Sequence, residues 1–281
     1  MREKIVYEWD ISPDAEKKFF ARMPPRMYKY RSWKDENNKN MLINREIFLT
    51  SPGKFNDPFD GGLPYRPDPM DSDVENIKAK LEQLAPRQFP QFAHDKARLD
   101  EESAKQLFYI MQGPEEYFQD NYGYRPADLD QMFGVVSLTP HPLNILLWSH
   151  YGDKHQGFSL GFNTEKLVKF ISGKFKKVNY EQEIPIISML DGDQGLMDKL
   201  IYTKAMVWKY EDEYRITCIN RANQKIYYPP EILETIHFGY QMPTEVRFEI
   251  IEIVKKHFNH VNLFDIQLNQ QEFKLDEFQI Y

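Results

Sequence analysis

The chain of 281 residues carries 36 Lys and Arg against 43 Asp and Glu, a formal net charge of −7, and is 41% hydrophobic and 28% charged. That balance is globular rather than disordered, disfavours a protein built mainly to coat nucleic acid, and gives length for one large domain or two small ones. The one cysteine, Cys218, excludes an internal disulfide or a cysteine-based zinc site; with no apolar run near the roughly 20 residues of a bilayer-spanning helix and no signal-peptide core in "MREKIVYEWD", the expectation is a cytoplasmic protein with no membrane attachment.

In chain order, "ISPDAEKKFFARMPP" predicts a short helix, with Ser12 as N-cap, Pro13 in the first turn and Pro24-Pro25 as the stop. "RMYKYRS" and "EIFLTSP" predict strands on either side of a short helix in "KDENNKNMLIN". From Asp71 to about Met132 the chain becomes polar and helical, with expected breaks at Pro86, Pro90, Pro114 and Pro126. "GVVSLTP" predicts a strand and "PLNILLWSHY" a helix that Gly152 ends. "GFSLGF" places Phe158, Leu160 and Phe162 on one face. Its other face, Gly157, Ser159 and Gly161, is flat enough for a ligand or, more commonly, a neighbouring backbone to approach closely. "PTEVRFEIIEIVKKHF" turns Val246, Ile250, Ile253 and Val254 to one side of a helix. "HVNLFDIQL" and "EFKLDEFQI" then read as closing strands. The pattern predicts one α+β domain over residues 1–281, with mixed, largely antiparallel sheets and a helical insertion at about 71–132.

Four stretches carry candidate chemistry. In "WKYEDEYRI", read as a strand, Lys209, Glu211, Glu213 and Arg215 share one face, while Trp208, Tyr210, Tyr214 and Ile216 share the other. Two carboxylates two residues apart can shift each other's titration, grip a ribose hydroxyl or steady a developing cation. Periodicity alone fits a water-facing charged strand better. "SPGKFNDPFDGG" reads as a supporting turn, in which Asn56 or Asp57 bonds backbone amides and Phe55 and Phe59 are buried pins. Asp57 and Asp60 supply too few oxygens for a hard-metal site. In "LLWSHYGDKHQGF", His150 and His155 lack helical metal spacing, and Ser149 and His150 point apart as adjacent helical residues do. "MYKYRS" could set Arg31 beside a phosphate, with Tyr28 or Tyr30 as a stacking surface. No Walker loop, G-x-G-x-x-G or G-x-S-x-G occurs.

The motifs "YKYRS", "IFLTSPGKFNDPFD", "VVSLT", "LLWSHYGDKHQGFSLGF", "WKYEDEYRI" and "ETIHFGYQM", in this order, resemble a prokaryotic family known only as a domain of unknown function. More distantly, the layout is similar to ADP-ribosyltransferase-like proteins. These have a polar NAD-binding residue on a first strand, a hydroxyl residue on a middle strand and a glutamate on a late one. That resemblance implies Arg31 at the first position, Ser137 or Thr139 at the second, and Glu213 at the third with Glu211 assisting. The long helical segment before "VVSLT" departs from the pattern. On this view Glu213, Glu211 and Arg31 are catalytic. Tyr30, Ser137, Trp148, Ser149, His150, Tyr151 and Arg215 bind the cofactor, and NAD is the substrate with no metal.

The leading expectation is therefore an NAD-cleaving or ADP-ribosyl-transferring enzyme, a toxin or phage-defence effector, acting on a small nucleotide and passing its product to a protein or nucleic-acid acceptor. A second reading is a binding or regulatory module that keeps the cleft without chemistry. A third, a metal-dependent hydrolase or nuclease using Asp57, Asp60 and His150, has the least support. The first reading requires the segments around Arg31, Ser137, Ser149–Tyr151 and Glu213 to meet.

Overall fold

A computed structural model describes residues 12–63, 68, 73–113, 126–188 and 192–280. The chain packs as two compact units. One is Met1–Lys54, Asp130–Val178 and Val207–Tyr281; the other is Phe55–Leu129 and Asn179–Met206. The strands in chain order are β1 (Arg26–Arg31), β2 (Glu46–Phe48), β3 (Phe133–Leu138), β4 (Phe158–Asn163), β5 (Lys174–Lys177), β6 (Asn179–Glu181), β7 (Thr203–Ala205), β8 (Tyr214–Ile219), β9 (Lys225–Tyr227), β10 (Leu233–Phe238), β11 (Asn262–Leu268) and β12 (Leu275–Gln279). They make an α+β fold. Pairing is antiparallel apart from β10 with β11 and β6 with β7.

The first unit is built on a five-stranded sheet of order β1-β4-β10-β11-β12 and a three-stranded sheet of order β3-β8-β5. Alternation sorts the faces. Met27, Leu160, Phe162, Ile236 and Leu263 lie fully buried on one side of the larger sheet. The amphipathic helix Thr244–His257 joins that core through Ile250 and Val254. On the opposite side, Gly161 is needed because a Cβ there would meet Thr235 Oγ1 at 2.1 Å and the Tyr28 ring at 2.6 Å. The close approach anticipated at the flat face is thus made by side chains of the neighbouring strands. The N-terminal helix Pro13–Phe20 starts as expected, with Ser12 Oγ accepting from Ala15 N at 3.4 Å.

In the second unit, the helices Val74–Gln88 and Lys96–Gln112 bury Ile77, Leu81 and Ala85, and Leu99 and Ile110. Pro86 does not break the first of these helices, which continues to Gln88. Proline's missing N–H removes one bond, to the carbonyl four residues before it, without ending the helix. Pro114 falls outside the described residues. Among the described residues, no helix is long and apolar enough to cross a membrane.

The "FNDPFD" turn has the anticipated backbone bond, with Asp57 Oδ1 accepting from Phe59 N at 3.0 Å. It does not use Phe59 as a pin: that ring is 47% exposed, and Phe55 is only half-buried. The turn closes through Asp60 N and Asp57 O at 3.0 Å. Asp57 and Asp60 are buried, while Pro58 and Phe59 between them are exposed. Asp60 pairs with Lys204 at 3.5 Å, both side chains almost wholly buried. Phe59→Ala is therefore expected to change stability by no more than about 0.5 kcal/mol. Asp60→Ala, which removes a carboxylate from beside a buried ammonium, is expected to cost about 3–5 kcal/mol. Urea midpoints of the two variants check this directly.

Candidate functional site

β3 runs past the smaller sheet and bridges β1. Tyr28 N donates to Thr139 O at 2.7 Å, and Thr139 N donates to Tyr28 O at 3.1 Å. β3 also pairs with β8, setting Ser137 opposite Arg215. Three segments far apart in sequence therefore meet along one seam. Lys29 ties the two sheets further, its Nζ donating to Ser137 O at 2.8 Å.

The stretch expected to be one strand from Trp208 to Ile216 is not. Met206–Glu211 wind as 3-10 turns, and β8 starts only at Tyr214. Between them, Asp212 takes a left-handed φ of 45°, a conformation that Asp tolerates better than most residues. Asp212 N donates to Lys209 O at 3.2 Å, and its carboxylate pairs with Lys177 at 2.5 Å and His141 at 3.1 Å. The two-residue period is broken there. Both glutamates are buried, at 4% exposure each, so the water-facing strand is overturned.

Each buried glutamate has its own fixed partner. Arg215, fully buried, grips Glu213 with a fork: Nε to Oε1 at 2.8 Å and Nη2 to Oε2 at 3.1 Å. Tyr151 OH donates to Glu211 Oε1 at 2.7 Å, and Thr139 Oγ1 donates to the Glu211 carbonyl at 2.7 Å. Asn144 secures both sides of this arrangement. Its Oδ1 caps the helix Ile145–Tyr151 by accepting from Leu146 N and Leu147 N, and its Nδ2 donates to Tyr210 O at 2.8 Å.

An aromatic group lies beside the carboxylates. His150 stacks with Tyr210 at 6.2 Å and meets Trp208 edge-on at 6.1 Å, with Tyr151 at 6.2 Å. Tyr30 and Trp148 are part of the core behind it. They pack edge-to-face at 4.9 Å and are 3% and 0% exposed. Burial holds the Tyr30 phenol far above its ordinary value, and it donates to His141 O. Ser149 turns to a different neighbour: its hydroxyl donates to Ile145 O at 2.9 Å and faces His155 Nε2 at 3.1 Å. His155 reaches that position through three successive left-handed residues, Asp153, Lys154 and His155. Such residues cost about 1–2 kcal/mol each. Burial lowers the His155 pKa, which keeps the imidazole neutral at neutral pH.

The structure thus brings Ser137, Tyr151, Glu211, Glu213 and Arg215 to one seam, while Arg31, two residues beyond Lys29 on β1, turns its guanidinium to Tyr30 O. It places His150 alongside, Tyr30 and Trp148 behind, and Ser149 against His155. Sequence reasoning misses Lys29, although its signal is present. Met27, Lys29 and Arg31 occupy the same phase of β1, and a lysine at the inward phase of a strand is unusual. The Ser149–His155 contact has no such signal, because it depends on the left-handed turn. Among the described residues, no three His, Cys, Asp or Glu side chains group as a metal site would require.

Chemically, the seam offers ionisable carboxylates, inward cations and aromatic faces together. Such a set can hold a charged, ring-bearing ligand and stabilise positive charge developing on it. Residues 147–216, which span the Ser149–Tyr151 segment and both glutamates, match the family described as "Protein of unknown function (DUF2971)". No curated protein and no solved structure matches the chain.

Proposed function

We propose that the seam of β1, β3 and β8 binds NAD and cleaves its bond between nicotinamide and ribose, passing ADP-ribose to water or to a protein or nucleic-acid acceptor. The observation that carries this reading is the pair of buried carboxylates on either side of Asp212, each held by a separate donor, Tyr151 or Arg215. Loss of nicotinamide leaves an oxocarbenium-like ribose. Glu213 offsets the growing positive charge, and Glu211 holds a ribose hydroxyl or orients the attacking group. The His150, Trp208 and Tyr210 rings supply a stacking surface, and Arg31 attracts the phosphates. The distant resemblance to ADP-ribosyltransferase-like proteins agrees with this assignment and suggests a toxin or phage-defence role, in which expression would deplete cellular NAD.

The test is nicotinamide release from NAD by the purified chain, with and without candidate acceptors. Tyr151→Phe removes one hydrogen bond to a charged group and should slow release by about tenfold to a hundredfold. Melting temperature serves as the folding control. An unchanged rate in that variant would remove Glu211 from the mechanism, and no NAD binding by the wild type would end the reading. One observation favours a second reading, a binding module without chemistry. Both oxygens of Glu213 already accept from Arg215, as in a purely structural ion pair. That module would bind the nucleotide and release no nicotinamide.

A further inference from the structure

The two edges of the larger sheet differ. β1 is met by β3 through the bridge between Tyr28 and Thr139. Among the described residues, β12 pairs with β11 alone. An open edge strand invites another strand, and chains commonly block it with lysine, proline or a bulge. β12 has none of these. Its sequence is LDEFQ, and its register with β11 runs unbroken from Leu268–Leu275 to Phe264–Gln279.

Hydrogen bonding shows which groups the edge offers. Ile280 N donates to Leu263 O at 2.9 Å, and Asn269 N to Lys274 O at 3.1 Å. Even-numbered residues thus turn their main-chain groups to β11, and Leu275, Glu277 and Gln279 turn theirs to the open side. One face of this edge is apolar and exposed. Phe278, paired with Asp265, is 50% exposed, and Ile280 follows it on the same face. Helix Thr244–His257 covers that side of the sheet, since Arg247 Nη1 donates to Asp265 Oδ2 at 2.7 Å. Its Glu249 is drawn to the β4 side by Trp33, whose Nε1 donates to it at 2.9 Å and whose ring packs on Phe158. With Ile250 and Val254 inward and about 100° between residues, Phe248 leans the other way, towards β12. It is 60% exposed. On the opposite face of β12, Glu277 Oε2 lies 2.9 Å from His237 Nε2.

We propose that two copies of the chain join through β12, antiparallel about a two-fold axis at Phe278, so that the five-stranded sheet of each continues into the other. The charge pattern selects both the occupant and the register. With the axis at Phe278, ring meets ring in a non-hydrogen-bonded pair, the closest kind, with Cα atoms about 4.5 Å apart. Glu277 then faces Gln279 of the second copy, and Asp276 faces Ile280 of the second copy, so no like charges stand opposite each other. Glu277 and Gln279 are the residues whose main-chain groups point outward, and their two pairings add about four hydrogen bonds. An axis at Asp276 or Glu277 sets a carboxylate against its own copy, which is destabilising. An axis at Gln279, the last residue of β12, pairs less of the strand. Phe248 adds apolar area beside the strands, as a stable interface of roughly 1,200–2,000 Å² requires.

Sedimentation equilibrium of the full chain should show a dimer. Phe278→Lys sets two ammonium groups face to face at the axis and should weaken the dimer at least tenfold. Gln279→Pro removes a donor that points away from β11, so it should weaken the dimer to a similar extent while the melting temperature of the monomer holds. This second variant keeps the test open should Phe278→Lys disturb folding. Phe278→Cys provides the register. The native Cys218 is buried, and a cross-strand Cα distance of about 4.5 Å lies within the range a disulfide spans. Mild oxidation should therefore link Phe278→Cys into covalent dimers at least tenfold faster than Glu277→Cys, whose opposite number is Gln279 of the second copy. Wild type that stays monomeric overturns the second copy as occupant and leaves the edge to a strand of another protein. A dimer that ignores both Phe278→Lys and Gln279→Pro, or that links as fast through Glu277→Cys, overturns the proposal as well.

Discussion

Glu213→Gln is expected to lower NAD cleavage by about 10²–10³-fold, the usual effect of removing one preorganised electrostatic contact to a transition state. The same change should cost about 3–5 kcal/mol of stability, because it removes the Glu213 charge that the fully buried Arg215 grips. The sequence alone suggests a variant that keeps its fold intact; the fork between Arg215 and Glu213 shows why it should not. The two effects separate in a double variant. Glu213→Gln with Arg215→Met removes both charges and should recover much of the lost stability while cleavage stays low. Recovered cleavage in the double variant would mean that Glu213 acts through folding alone. Glu211→Gln leaves the Arg215 fork untouched, and its melting temperature should fall less.

The second large effect is expected at Trp148. It is fully buried, packs edge-to-face on Tyr30, stacks with His155 at 6.4 Å and donates Nε1–H to Pro142 O at 2.8 Å. Trp148→Ala should cost about 3–5 kcal/mol, which corresponds to a thermal midpoint lower by roughly 6–20 °C. NAD affinity, measured well below that midpoint, should stay within about twofold of wild type, because the indole lies behind the seam rather than in it. Trp148→Phe should recover part of the stability. A large loss of affinity at unchanged stability would instead return Trp148 to the ligand-contacting role that the sequence suggests.

Elements whose causes lie within a few residues are legible in the sequence alone. Ser12 and Pro13 start a helix that ends before Pro24 because cap, first turn and stop occupy one short stretch. The alternation of Phe158, Leu160 and Phe162 predicts the buried face of β4, and the spacing of Ile250 and Val254 predicts the buried stripe of the last long helix. "FNDPFD" announces a turn through its Asn, Asp and Pro. Which of its side chains point inward is not legible, because Asp60 is held by Lys204, far away in sequence.

The candidate site divides in the same way. Its residue types can be read directly: Arg31, Ser137, Tyr151, Glu211 and Glu213 stand out as polar groups among apolar anchors. Their arrangement cannot. Glu211 is fixed by Tyr151, 60 positions earlier, and by Thr139, 72 positions earlier, and a left-handed Asp212 cancels the two-residue period that assigns both glutamates to water. Periodicity reports how neighbours along the chain divide between two faces. Burial and charge pairing depend on which distant strand lies opposite. By itself the sequence determined an α+β protein, its main helices and strands, and the kinds of group available for chemistry. Only the tertiary structure decided that two carboxylates are buried, one accepting from Tyr151 and the other from Arg215.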